Sequence, residues 1–196
     1  MKITLFDYGA GNLRSLMKAI AAAGVEPIVE TDPVRAIETD VLVLPGVGAF
    51  EPAAARLAPG RDAMRQALLN GLPCLGICLG LQLLFDGSDE GEGRGLGVID
   101  GQVTRIAAAR LPQIGWNLIE DAREPSLAGL TYGYYANSYV GRPADLGAVV
   151  AWSQYEGDRF PAAVRRGRTL GIQFHPEKSS APGLQVIASY LAEVRA

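Results

Sequence analysis

Histidine is nearly missing from this chain: His175 is the one histidine among 196 residues. Any step that needs an imidazole near neutral pH therefore has a single candidate, because no other side chain has an ordinary pKa in that range. The same scarcity argues against zinc, since one histidine and two cysteines make a poor ligand set. Cysteine is scarce too. If Cys74 and Cys78 share an extended segment, their Cα atoms lie roughly 13 Å apart. A disulfide needs about 7 Å or less. Free thiols in a reducing compartment are expected, and the chain reads as cytoplasmic.

Positive charge is not in excess. Eighteen basic residues face twenty-one acidic ones, for a net charge of −3. With no basic stripe, nucleic acid is not an expected partner. Long apolar runs are also missing. The opening Met1–Phe6 loses its apolar character at Asp7, too early for a secretory signal. The most apolar segment, Gly71–Phe85, carries Gln82 and several breakers and is too short to span a membrane. No Gly-x-x-x-x-Gly-Lys-Ser/Thr loop is present, so ATP binding has no support. Glycine is what the chain has in quantity: 24 of 196 residues, against an average near 7%. With no repeats or low-complexity tracts, these glycines are expected to serve turns, elbows and close backbone approaches. One domain over residues 1–196 is the simplest organisation at this length.

Short apolar runs alternate with amphipathic stretches in the first half. Lys2–Phe6, Val25–Glu30, Val41–Leu44 and Pro73–Ile77 read as strands. Asn12 can cap a helix running to about Ala23, with Gly24 as its stop. Phe50–Leu57 and Arg61–Leu69 read as helices broken at Pro59-Gly60, and Leu79–Phe85 as another. Such alternation predicts an α/β fold, a mostly parallel sheet flanked by helices. The second half differs. Gly97–Ile106, Gly115–Glu120, Thr131–Tyr139, Ala148–Tyr155, Phe160–Arg166 and Thr169–Phe174 are strand-like and closely spaced. Added antiparallel strands are expected there, with a turn at Arg166-Gly167 and a final helix over Ala181–Val194.

Gly76-Ile77-Cys78-Leu79-Gly80 ends a buried strand and opens a helix. This is the nucleophile-elbow pattern with cysteine in place of serine. The sharp turn needs small neighbours and lifts the sulfur above the C-terminal edge of the sheet, where open α/β folds build their sites. The backbone N–H of Leu79 is then placed to stabilise an oxyanion. Cys74 reads instead as a small buried hydrophobe. His175 follows the apolar Leu170–Phe174, and His175-Pro176-Glu177 puts an acid two residues on. In an extended chain such residues share a face. The carboxylate would fix the tautomer of the base and stabilise its charged form. Pro45-Gly46-Val47-Gly48 follows another apolar strand. It is either a plain turn or a loop that aims amides at a ligand.

These residues resemble the triad (class I) glutamine amidotransferases, and within them the glutaminase subunits of histidine biosynthesis. The likeness runs nearly end to end. It takes in Asp7–Leu13, Pro45–Gly48, Gly76–Gln82, Gly115-Trp116-Asn117 and His175–Ser179. It implies the three-layer fold of that family and hydrolysis of L-glutamine through a thioester on Cys78. His175 would move the protons and Glu177 would orient it. Val47 and Leu79 would supply oxyanion N–H groups. Gly46, Gly48, Gln82, Glu90, Ser138 and Tyr139 would hold the substrate. No metal or other cofactor is implied. The implied partner is a (β/α)8-barrel cyclase, joined as a heterodimer through residues that include Trp116, Asn117 and Lys178. Pro45–Gly48 is where activation by the partner would act.

Two departures from the family pattern stand out. Gln113 and Asn137 occupy positions where the family commonly has histidine. Related glutaminases serve other synthases, and stand-alone hydrolases cut γ-glutamyl compounds with similar triads. A non-catalytic module on the same fold is the third alternative.

Overall fold

The computed structural model describes residues 1–9 and 13–195. The helix cap expected at Asn12, and Ala10 and Gly11 of the opening motif, lie outside the described residues. In chain order the elements are β1 (Ile3–Phe6), α1 (Arg14–Ala22), β2 (Ile28–Glu30), α2 (Pro33–Ala36), β3 (Val41–Leu44), α3 (Phe50–Leu57), α4 (Arg61–Leu69), β4 (Cys74–Ile77) and α5 (Leu79–Gln82). There follow β5 (Gly87–Ser88), β6 (Gly101–Arg105), β7 (Gln113–Leu118), β8 (Tyr132–Asn137), β9 (Tyr139–Pro143), β10 (Val149–Tyr155), β11 (Asp158–Arg166), β12 (Thr169–Ile172) and α6 (Ser180–Arg195).

Four apolar tetrapeptides form the spine. β1, β3, β4 and β12 are buried at every position. A strand covered on both faces has no reason to alternate polar with apolar, so its sequence reads as a run. The main sheet has the order β10-β11-β12-β4-β3-β1-β2. From β12 to β2 the pairings are parallel, and β10 and β11 extend the edge antiparallel. Alternate residues feed two cores. Ile3, Leu5, Val43 and Ile77 pack with Leu16 and Ile20 of α1 and with Ile187 and Tyr190 of α6. Phe6, Leu42 and Leu44 pack on the other face with Ala36, Phe50, Leu57 and Met64 of α2, α3 and α4. The result is the expected helix–sheet–helix sandwich. Two smaller sheets, β5-β6-β9 and β7-β8, stand beside it.

Three local expectations need correction. The helix expected over Leu79–Phe85 stops at Gln82. The carbonyls of Leu83, Leu84 and Phe85 are taken by the N–H groups of Leu96, Ile99 and Gly97 at 2.7, 3.0 and 3.0 Å. A loop distant in sequence thus outcompetes helix continuation, and the strand expected from Gly97 begins only at Gly101. The single strand expected over Thr131–Tyr139 is two strands. The chain leaves β7 after Asn137 and joins β6 from Tyr139, with the Ser138 carbonyl accepting from Ile106 N–H at 2.9 Å. The one-turn α2 was not expected, although its signals are ordinary: Asp32 caps it through its side chain and Pro33 opens it.

The elbow at the end of β4 depends on glycines. A Cβ on Gly80 would lie 2.0 Å from the Leu44 carbonyl oxygen, and one on Gly76 would lie 2.8 Å from the Gly80 carbonyl oxygen. We predict that Gly80→Ala lowers stability by about 3 kcal/mol, the upper end of ordinary overpacking. The thermal midpoint should fall by roughly 6–12 °C in a calorimetric scan, from about 2–4 °C per kcal/mol at this size. An unchanged midpoint would mean that β3 and α5 are not in close contact.

Candidate active site

The strand pairing fixes the backbone at Cys78. Its N–H donates to the Ile172 carbonyl at 2.7 Å, which carries the β4–β12 pairing one residue past the strand. Its own carbonyl accepts from Gln82 N–H at 3.1 Å and starts α5. Between these two bonds the chain must turn at once, and Cys78 takes φ 49° and ψ −103°. Side chains rarely adopt such a conformation, which costs roughly 1–3 kcal/mol and persists only where the surroundings impose it. Leu79 is the first residue of α5, so its N–H has no partner within that helix. Cys74, four residues back, is wholly buried, and burial pushes its thiol pKa up.

His175 reaches the sulfur from the neighbouring strand end. Its N–H donates to the Tyr134 carbonyl at 2.8 Å, which ties it to β8. Ser179 closes the turn beneath it: the hydroxyl donates to the His175 carbonyl at 2.6 Å and accepts from Tyr134 N–H at 2.9 Å. The ring Nδ1 lies 2.8 Å from Glu177 Oε1. The route to that contact differs from the expected one. Glu177 lies in a 3-10 turn, Pro176–Lys178, rather than on an extended chain. The turn curls the carboxylate back under the ring, where a strand would only have set it on the same side.

The electrostatics of the imidazole follow from these neighbours. Burial alone would lower its pKa. The Cys78 sulfur and the Glu177 carboxylate outweigh that and raise it to about 10. An imidazolium at neutral pH is the charge partner a thiolate requires.

A cleft of about 270 Å³ opens over the sulfur. Cys78, His175, Gly46, Val47, Gly48, Leu79, Gln82, Glu90, Ser138, Tyr139 and Lys178 all line it. Gly46 is there for want of room: a Cβ would lie 2.9 Å from the Ile77 carbonyl oxygen and 3.0 Å from His175 Cε1. Gly48 has φ +131°, a conformation that suits glycine alone. The Gln82 amide donates to the Tyr139 carbonyl at 2.9 Å, and Glu90 Oε2 accepts from Phe50 N–H at 2.9 Å. Glu177 stands behind His175 and does not line the cleft. Pro112, Ala136 and Asn137 line it as well. Sequence reading does not single them out as lining residues: Ala136 and Asn137 close β8 just before the change of sheets at Ser138, and Pro112 precedes β7, the strand paired with β8. Among the described residues, no group of three His, Cys, Asp or Glu could hold a metal.

The residues expected at a partner interface separate. Trp116 is 53% exposed and meets Tyr134 edge-on, and Lys178 Nζ lies 5.9 Å from the same ring. Asn117 points the other way along β7, its amide donating to the Gln154 carbonyl at 2.9 Å. That hydrogen bond commits it to the chain's own fold and away from the exposed face.

A cysteine on a strained elbow, an imidazole held by a carboxylate, and amide-bearing loops around a small cleft together suit nucleophilic attack on a carbonyl carbon. Comparison with known proteins points the same way. The family model "Glutamine amidotransferase class-I" matches residues 4–192. The chain is 46% identical to imidazole glycerol phosphate synthase subunit HisH of Symbiobacterium thermophilum, over 96% of this chain and 92% of that one. It is 45% identical to the Thermus thermophilus protein of the same name, over 96% of each. Among solved structures, one titled as a glutamine amidotransferase superposes with a TM-score of 0.78 at 22% identity, covering 100% of both chains. PurLQS from Thermotoga maritima gives 0.71 at 20% identity, over 98% of each. These two likenesses concern the fold.

A single histidine makes the electrostatics directly measurable. The imidazole resonance should titrate near pH 10 in the intact chain, and well below that in Cys78→Ala, which removes the sulfur. The sign for stability follows. A raised folded-state pKa stabilises fully below the unfolded value near 6.5, and that contribution fades as pH climbs through about 10. Identical midpoints with and without the sulfur would show that the two groups are not coupled.

Proposed function

The chain belongs to the class-I glutamine amidotransferase family, and on that premise we propose that it is the glutaminase subunit of an imidazole glycerol phosphate synthase. The observation that carries the chemistry is the meeting of the Cys78 elbow with a His175 ring held by Glu177 in one cleft. The likeness to HisH subunits at 45–46% identity supports the choice of synthase.

Glutamine would lie in the cleft with its amino-acid end toward Gln82, Glu90, Ser138 and Tyr139. The Cys78 sulfur attacks the side-chain amide carbon, and the carbonyl electrons move onto oxygen. The N–H groups of Leu79 and Val47 receive that oxyanion, with Gly46 and Gly48 giving the loop the freedom to aim them. The imidazolium of His175 passes its proton to the leaving nitrogen, and ammonia departs as the tetrahedral intermediate collapses to a thioester. Water then attacks the thioester while neutral His175 takes its proton. Glutamate leaves, and the sulfur is again paired with imidazolium.

Ammonia released into water becomes mostly ammonium, which has no lone pair for attack. A partner docked over the cleft would carry it onward dry. The partner would be a (β/α)8-barrel cyclase, forming a cytoplasmic heterodimer with this chain. An apolar ribbon beside the cleft suits that role. Ile114, Trp116 and Leu118 of β7 and Tyr132 of β8 face outward on one side, with Ile114 67% exposed. Strand faces turned to water are ordinarily polar, so an outward apolar face marks a contact surface. Trp116 and Lys178 would belong to it, and Asn117 would support β7 from behind. No helix among the described residues is long and apolar enough to cross a membrane.

Two outcomes test this. In the reconstituted complex, Cys78→Ala should abolish glutamine-dependent synthesis and spare synthesis from added ammonium. Loss of both in an assembled complex would defeat the division of labour. Trp116→Asp should weaken partner binding at least ~10-fold by calorimetric titration, since buried aromatics dominate interface energetics. Unchanged affinity would place the interface elsewhere.

A further inference from the structure

One buried amide in the wall of the site has no task in the scheme above. Gln173 is fully buried and lies two residues before His175, just past the end of β12. Its side-chain Nε2 lies 3.5 Å from Cys78 Sγ. Its Oε1 has no hydrogen-bond partner among the described residues. Its backbone N–H donates to the Ala162 carbonyl at 2.9 Å, a bond that any residue except proline could make. The backbone therefore accounts for the position and not for the amide. Packing does not account for it either: an apolar side chain of that shape would fill the space without burying an unpaired oxygen.

The charge of the sulfur selects the direction of the amide. Rotated by half a turn, it would set a carbonyl oxygen against a sulfur that must carry negative charge. The N–H end is the one that faces it. Other support for that charge is limited. α5 has only four residues, too few for a sizeable helix dipole. Glu177 offsets part of the imidazolium charge. A neutral donor on a third side strengthens the thiolate without altering the charge balance of the site.

We propose that Gln173 is a further catalytic residue: its side-chain N–H donates to the sulfur of Cys78, favouring the thiolate and holding it aimed into the cleft. This deepens the reading of Cys78 as nucleophile and rests on it. As the sulfur attacks, its charge passes to the carbonyl oxygen, so the Gln173 hydrogen bond is strongest in the resting pair and slackens as the thioester forms. The net gain is modest for that reason.

The test is the pH profile of Cys78 alkylation by iodoacetamide in the full-length chain, resolved by site with peptide mass spectrometry. Gln173→Met removes the donor, and Gln173→Glu keeps the shape while turning only oxygen toward the sulfur. The midpoint for Cys78 should rise by about one pH unit in Gln173→Met, the scale of one charge-assisted hydrogen bond to sulfur. It should rise at least as far in Gln173→Glu. Profiles that coincide with the parent's would overturn the proposal, whatever happens to glutamine turnover. If both variants lose their near-UV circular dichroism, the amide is structural and the proposal is equally wrong. A parent chain with the expected profile but no glutamine turnover in its complex would defeat the glutaminase reading and leave the Gln173 contact standing.

Discussion

The turn at Cys78 is the constraint on which the rest of the site depends. A parallel sheet delivers β4 between β3 and β12, and hydrogen bonds hold the backbone on both sides of the cysteine. The residue has nowhere to go but φ 49°. The strain is local, and what resists it is the burial of the tetrapeptides on both faces of the sheet. Everything nearby follows from the closeness of that packing. Gly80 is glycine because the Leu44 carbonyl lies against it, and Gly76 because the helix turns directly back over it. Gly46 is glycine because His175 and Ile77 leave no room for a side chain.

The base is held by a different device. His175 leaves the end of a sheet strand and is fastened to β8, outside that sheet, through its own N–H and through Ser179. The same β8 ends at Asn137, and at Ser138 the chain changes sheets and enters the wall of the cleft. One short ribbon thus positions the histidine, lines the substrate side of the cleft and carries outward-facing apolar side chains. A force on that outer face has a short mechanical path to the imidazole, through Tyr134 and Ser179.

Much of this was legible in the residues. Val41–Leu44 and Pro73–Ile77 read as buried strands because nothing in them alternates, and the small-x-Cys-x-small pattern marks the elbow without any coordinates. What was not legible depended on contacts distant in sequence. Helix propensity at Leu83–Phe85 is good, yet Leu96, Gly97 and Ile99 capture its carbonyls. Thr131–Tyr139 has the composition of a single strand, and only the competing pull of β6 splits it. Glu177 was found for a partly mistaken reason. Spacing put it near His175, but the contact needs the 3-10 turn that Pro176 opens. Gln173 sits inside the histidine motif, and nothing in one dimension says that its amide meets a sulfur on another strand.

The two departures at Gln113 and Asn137 illustrate the same limit. Along the chain they are separate departures from the pattern the resemblance leads one to expect, which has histidine at each. In the sheet they are direct cross-strand partners on β7 and β8. Both are buried, and each leaves a side-chain oxygen without a hydrogen-bond partner among the described residues. Directly opposed side chains in an antiparallel pair share one small volume and one local dielectric. Two imidazoles there could each be charged or neutral, whereas two amides cannot titrate at all. The pair is therefore a single change in character, from ionisable to fixed, next to the residue where the chain turns into the cleft. It leaves His175 as the one imidazole in the chain.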